Sequence, residues 1–331
     1  IKAGHKYCNT ETRRCKLFNL LLDVDTGIDD ALARFYLADA QKKGQLKILG
    51  CTTVGGNVEV AQTTLNTLKV WEMLELEIPV ASGAESPLQA TLNAAPFVHG
   101  DDGLGNTFLT PPKRLPVDES AADMILRLSH EYSGELTLLT TAPLTNIAVA
   151  LLRDPNLADR IRKLVIMGGA VFTGNVTAVA EANIANDPEA ARIVFRSGME
   201  MTLVGLDVTH EVYWEEVDLE PLIKINNERS AFLLQIIRFI SGAYESLSGW
   251  RRCVLHDPLA AGVCLFPDLV KTEKRYVDVE LNGELTRGMT VVDRRGRTPL
   301  GEDNMQVALE VDAERFKKQL MQSLLVWVQE G

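Results

Sequence analysis

Cysteine is scarce in this chain and poorly spaced for chemistry. Cys8, Cys15, Cys51, Cys253 and Cys264 make an odd total of five, with no Cys-x-x-Cys pair. That spacing argues against structural zinc and against a disulfide framework, and it suits reduced thiols in a cytoplasm. Positive charge is in deficit. The formal net charge is −11, so neither nucleic acid nor an anionic membrane meets the basic face it requires. No apolar run reaches the length of a membrane span. Residues 1–16 lack the apolar core of a secretory signal and read as a poorly ordered polar extension. Repeats, low-complexity tracts and composition-marked linkers are missing too. What remains, residues 17–331, reads as one domain; at 46% hydrophobic the chain has ample material for a core.

Against these absences stands a dense run of acids. Asp23, Asp25, Asp29 and Asp30 fall within eight residues, between the apolar run Leu17–Leu22 and a helical segment opening at Ala31. Four like charges where a buried strand hands over to a helix repel one another unless a cation holds them. A hard divalent ion with oxygen ligands is the simplest holder. The structural alternative is helix capping, which accounts for Asp29 or Asp30. It does not account for Asp23 and Asp25, which alternate on one face of the strand end.

Strand and helix patterns alternate through the first two thirds. Strands are predicted at 47–54, 78–81, 136–141, 163–167 and 201–208, and helices at 58–74, 121–129 and 144–152. This rhythm implies an α/β fold with a doubly wound, mostly parallel open sheet, Rossmann-like, covered by helices on both faces. Later come helices at 230–244, 258–265 and 313–328. A small C-terminal hairpin is expected from 275–281 and 289–293 around Asn282-Gly283.

Several polar clusters follow these strands. Gly55-Gly56-Asn57 suits either a plain turn or close backbone approach to a ligand. His99 sits in a Gly-rich stretch, inside the long irregular segment 84–117, as a lid residue or a solvated loop histidine. Thr140 to Asn146 offers a free carbonyl at Thr141, or merely a helix cap ahead of Leu144. Asn175, Glu181 and Asn183 flank a loop suited to sugar hydroxyls, or form an ordinary polar loop. Asp257 with Pro258 reads as an N-cap and N1 pair; the functional alternative makes Asp257 a ligand and His256 an acid.

Taken in order, these motifs resemble the inosine-uridine-preferring nucleoside hydrolases. The resemblance runs through Asp23-Val24-Asp25-Thr26-Gly27-Ile28-Asp29-Asp30, Thr53 to Asn57 and Val98-His99-Gly100. It continues through Thr141 to Asn146, Met167-Gly168-Gly169, Gly174-Asn175, Glu181-Ala182-Asn183, Val204 to Thr209 and His256-Asp257-Pro258. It implies the nucleoside hydrolase fold, one Ca²⁺, ribonucleoside substrates and a homodimer or homotetramer. It also implies that Asp25, Asp30, Asp257 and the Thr141 carbonyl hold the ion, with Asp23 supporting them by hydrogen bonds. Asp29, Asn57, Asn175, Glu181, Asn183 and Asp257 would then bind substrate through the ribose. Met167 would pack near the sugar, with His99 and His256 beside the base. Two departures stand out: Ala182 where several members carry an aromatic residue, and Thr141-Ala142-Pro143 in place of Thr-Gly-Gly.

The chemistry fits these residue types. Ribosyl C–N cleavage passes through an oxocarbenium-like state, so it needs an activated water, a stabilised cation and a proton for the departing base. A carboxylate-bound calcium would acidify water, Asp25 would take its proton as general base, and His256 would protonate the base. Two rivals share the acidic opening. One is a non-catalytic, calcium-dependent nucleoside- or ribose-binding protein. The other is an aspartyl-phosphate phosphatase, whose motif wants Thr or Val where Gly27 and Ile28 stand.

Overall fold

The computed structural model describes residues 17–295 and 300–330. The expected extension at 1–16, with Cys8 and Cys15, lies outside the described residues. The main sheet contains β1 (Phe18–Val24), β2 (Leu46–Thr53), β3 (Val80–Ser82), β4 (Leu136–Thr140), β5 (Ile161–Met167), β6 (Met201–Val204), β7 (Val270–Arg275) and β8 (Met305–Val311). Their spatial order is β3-β2-β1-β4-β5-β6-β8-β7. All neighbours run parallel except the edge strand β7, which is antiparallel to β8.

Alternation along the strands explains the two-sided core. Leu20 and Leu22 of β1 enter one hydrophobic cluster and Leu21 enters the other. Residues of successive parity point to opposite faces, so a strand buried on both sides must be apolar throughout. On one face pack α1 (Ile28–Lys42) and α2 (Val60–Met73), through Leu32, Phe35 and Trp71. The opposite face carries α3 (Ala121–Glu131), α4 (Thr145–Arg153) and α5 (Pro188–Phe195), through Ile125, Ile147 and Phe195. Then come α6 (Glu228–Ser248), α7 (His256–Leu265) and α8 (Ala313–Gln329), which contribute Ile237, Leu259 and Phe316 to the first cluster. No described helix is long and apolar enough to cross a membrane.

The chain winds from β1 outward to β3, then returns to the other side of β1 and continues from β4. The winding direction therefore reverses between β1 and β4. In open α/β sheets, ligands bind outside the carboxyl ends of the strands at such a reversal. Asp23 pairs in register with Thr52 on one side and Thr140 on the other, so the acid run sits at that crevice.

Three expectations are corrected. The predicted strand 201–208 stops at Val204; Gly205 turns the chain against the Gly169 carbonyl and a short helix, Leu206–Thr209, follows. The predicted strand 275–281 divides at Tyr276. Its first part belongs to β7, and only Val277–Val279 pairs with Thr290–Val292. A hairpin is present there, but segment 280–289 connects it, not a two-residue turn at Asn282-Gly283. Strand β8 was not anticipated, because its Gln306 and Glu310 break the apolar run.

Leu138 is fully buried on β4 in the second cluster. Leu138→Ala is expected to lower unfolding stability by about 3 kcal/mol, read from urea denaturation at unchanged m-value.

Candidate active site

Each acid is held by a different part of the chain. Asp23 Oδ1 accepts the Thr52 hydroxyl at 2.6 Å and the Asn146 amide at 2.8 Å. Asn146 also donates to the Thr53 carbonyl and accepts from the Ala84 N–H, tying α4 to β2 and to the start of the long loop. Asp25 Oδ2 accepts the Asn57 N–H at 2.8 Å. This approach needs glycine at 56, where a Cβ would fall 1.9 Å from that oxygen. Gly55-Gly56-Asn57 is therefore more than a turn. Asp30 Oδ2 accepts the Gly27 N–H at the start of α1, so capping explains one of its oxygens. The other accepts the Thr141 hydroxyl from the end of β4 at 2.8 Å.

Asp257 is not the helix cap that its sequence suggests. Helix α7 begins at His256 with Leu255 in the capping position, and the Asp257 carboxyl turns instead to Asp29 and Asp30. Asp29, Asp30 and Asp257 place oxygens within 4.8 Å of one another. The expected ligand set named Asp25 with Asp30 and Asp257; the tightest trio instead contains Asp29, with Asp25 electrostatically coupled to Asp30 and Asp29. The cap expected ahead of Leu144 is also missing, since no side chain caps α4. The Thr141 carbonyl accepts the Asn183 side-chain amide at 3.1 Å.

Burial and mutual repulsion push these carboxyls upward. Burial, then the charge of Asp30, raises Asp29 to about 7. Burial raises Asp23 to about 6 despite its two donors. Asp25 and Asp257 are raised well above the ordinary carboxylate range by burial and by neighbouring acids. Asp23 Oδ2, Asp25 Oδ1 and Asp29 Oδ1 are buried with no hydrogen-bond partner among the described residues. Orphaned buried carboxylate oxygens converging with no thiol or imidazole among the closest donors fit a hard divalent cation.

Over this floor lies a cavity of about 520 Å³. Asp29, Asn57, His99, Thr141, Met167, Asn175, Glu181, Asn183, His256 and Asp257 all line it. Asp23, Asp25 and Asp30 are almost completely buried beneath. Glu181 caps the short helix Ala182–Asn186, and its oxygens accept the N–H groups of Gly169, Asn183 and Ile184. Asn175 Oδ1 accepts the Ala182 N–H, and Asn183 donates to the carbonyls of Thr141 and Met167. The loop is thus fastened to the ends of β4 and β5.

His99 is buried, contrary to a solvated loop histidine. Its Nδ1 accepts the Ile28 N–H at 3.2 Å, and burial lowers the imidazole to about 4. It is neutral, so its 4.0 Å approach to Asp29 is no ion pair. The stretch that carries it is ordered by Asp102, whose carboxylate accepts the N–H groups of Leu104, Asn106 and Phe108. His256 bonds Thr209 Oγ1 at 2.7 Å through Nδ1 and the Tyr244 hydroxyl at 2.6 Å through Nε2. Burial first, then His210 and other positive neighbours, lowers its pKa well below the usual histidine value.

Tyr244 lines the cavity. Trp250 is 63% exposed, and Arg251 pairs outward with Glu245; Arg252 takes the lining position. His210 and Ile240 were missed. Ile240, Tyr244 and Ser248 share one face of α6 at four-residue spacing, a signal available in the sequence.

An acid pocket at the switch point of a parallel sheet, roofed by amides and imidazoles, defines a small-molecule enzyme of the α/β class. The model of the family described as inosine-uridine preferring nucleoside hydrolase matches residues 20–318. The chain is 36% identical over 301 residues to the Crithidia fasciculata inosine-uridine preferring nucleoside hydrolase, covering 90% of this chain and 94% of that protein. It is 38% identical over 304 residues to uridine nucleosidase 1 of Arabidopsis thaliana, covering 89% of each. The solved purine-preferring ribonucleoside hydrolase of Gardnerella vaginalis superposes with a TM-score of 0.88 at 35% identity, over 95% of this chain and 100% of that one. The chain belongs to the inosine-uridine preferring nucleoside hydrolase family and is a ribonucleoside hydrolase.

A pH profile follows from the raised carboxyls. In chelator, protons bound by Asp25, Asp29 and Asp257 above the unfolded-state pKa stabilise the fold, and that contribution is lost as pH rises through the folded values. The melting temperature should therefore rise between pH 8 and about 6.5. Below that, His99 and His256, which resist the protonation available in the unfolded chain, offset the gain. A calorimetric melt that falls from pH 8 to 6.5 would contradict this electrostatic account.

Proposed function

We propose that this enzyme hydrolyses purine and/or pyrimidine ribonucleosides to ribose and free base with Ca²⁺ as its resident ion. One observation carries the reading: buried carboxylates from α1 and α7 meet, with Asp25 just past β1 coupled to them, beneath a cavity lined by amides and hydroxyls. Asp25, Asp29, Asp30, Asp257 and the Thr141 carbonyl are the residues that would hold the ion. When bound, it supplies positive charge that acidifies a neighbouring water and orients a vicinal diol.

The chain's own groups supply the rest. Asp25 is fixed through one oxygen by Asn57, which leaves Oδ1 to accept the proton of the attacking water. Asp23 holds that end of β1 through Thr52 and Asn146. Asn57, Asn175, Asn183 and Asp29 present amides and a carboxylate to the sugar hydroxyls. Glu181, buried beside them, stabilises positive charge as it develops on the ring. Met167 gives the sugar an apolar floor.

His256 is neutral, so it does not act as a ready-made imidazolium. To protonate the base it first takes up a proton from solvent at Nε2; that proton then passes through the Tyr244 hydroxyl to the departing base and returns the ring to neutral, with Thr209 fixing the ring from Nδ1. His99 borders the base on the other side as an uncharged ring. Dimeric or tetrameric assembly and a cytoplasmic setting belong to the same reading. Cys51, Cys253 and Cys264 carry free thiols, and light scattering on the purified protein checks the assembly.

Asp25→Ala is expected to lower kcat on inosine and uridine by several orders of magnitude while circular dichroism stays native. Near-normal release of ribose would remove Asp25 as the base. His256→Ala should slow inosine hydrolysis by roughly 10²–10⁴-fold but spare p-nitrophenyl riboside, whose leaving group needs no proton. Equal losses on both substrates would exclude the proton-delivery role.

A further inference from the structure

Arg34 lies on α1 one turn beyond Asp30 and is 1% exposed. Buried arginines normally face a carboxylate in bidentate contact. This one is joined by salt bridge to no carboxylate among the described residues. Its Nη2 donates to Thr26 Oγ1 at 2.5 Å, and its guanidinium lies 5.7 Å from the centre of the Trp71 ring. Nε and Nη1 have no hydrogen-bond partner among the described residues. A buried cation without a contacting anion is unstable unless a field of opposite sign surrounds it. That field is close by, in the acids one helical turn away. Among the charges acting on Asp30, Arg34 is the one that draws its carboxyl downward.

We propose that Arg34 is a built-in counter-cation of the acid cluster, which holds the carboxylates together before a divalent ion arrives and weakens that ion's grip once it binds. The inference rests on the cation reading of the site for its second half only. Two positive centres in one low-dielectric pocket repel each other, so the guanidinium lowers ion affinity. It also offsets the charge of Asp30, which repels Asp25, Asp29 and Asp257, so the metal-free enzyme keeps its site assembled. Thr26 fixes the guanidinium in place; its own hydroxyl is braced by Thr67 Oγ1 at 2.5 Å and its carbonyl by Asn66.

The test strips the enzyme with EDTA and titrates Ca²⁺ by calorimetry into wild type, Arg34→Met, Arg34→Gln and Arg34→Lys. Either neutral variant should bind the ion about tenfold more tightly, while Arg34→Lys stays within about threefold of wild type. Wild-type or weaker affinity in the neutral variants overturns the proposal. Arg34→Gln can still donate to Thr26, which separates loss of charge from loss of packing. Thermal melts in chelator give a second readout. The neutral variants should melt about 5 °C lower, and that loss should shrink markedly in an Asp30→Asn background. An equal loss in both backgrounds overturns the counter-charge role. If wild type takes up no Ca²⁺ at all, the cation reading of the site falls, and the chelator melts alone decide the role of Arg34.

Discussion

Repulsion among buried carboxylates is the constraint around which this protein is arranged. Asp23, Asp25, Asp29, Asp30 and Asp257 are each at most a few per cent exposed, and burial drives every one of them toward its neutral form. A fold tolerates such a gathering only if donors, a counter-charge or a cation offset it. The structure supplies the donors unevenly. Asp30 has a donor on each oxygen, whereas Asp23, Asp25 and Asp29 each keep one oxygen without a partner. The unevenness sorts the oxygens: those with donors anchor the strand and helix ends, and those without are left as free acceptors.

The sheet topology makes this gathering possible at low entropic cost. The strand order reverses between β1 and β4, so the segments leaving those strands diverge and open a crevice. Asp25 and Thr141 enter the crevice because they directly follow the strand ends, and Asp30 because it lies in the first turn of α1. Asp257 arrives from the start of α7, which packs against α1 in the core on that face. The hydroxyl of Thr141 on Asp30 and the amide of Asn183 on the Thr141 carbonyl then join floor to roof.

Much of this was legible in the sequence because the signals were local. The strand and helix rhythm, the acid run and the Gly-Gly-Asn turn each declared themselves within a few residues. The losses came where distant partners decide. Asp257 reads as a cap because Asp-Pro before a helix is good capping chemistry; only the remote acids show why it faces elsewhere. β8 carries polar residues on its partly exposed side and depends on β6 for its place. Arg252, not Arg251, reaches the cavity because the short pairing of Cys253–Val254 with Tyr213–Trp214 sets which side each neighbour faces. One-residue register is invisible without the pairing strand.

The helix α6 adds a consequence of a different kind. Ile240, Tyr244 and Ser248 face the cavity from a single surface of one helix, while the acids and amides of the proposed sugar site come from strand ends and loops elsewhere. On the proposed reading, substitutions along that one surface would reshape the space for the nitrogenous ring and leave the pentose contacts untouched, apart from the proton path from His256 through Tyr244. On that reading, which nucleobase is accepted can be retuned by single substitutions at Ile240 or Ser248.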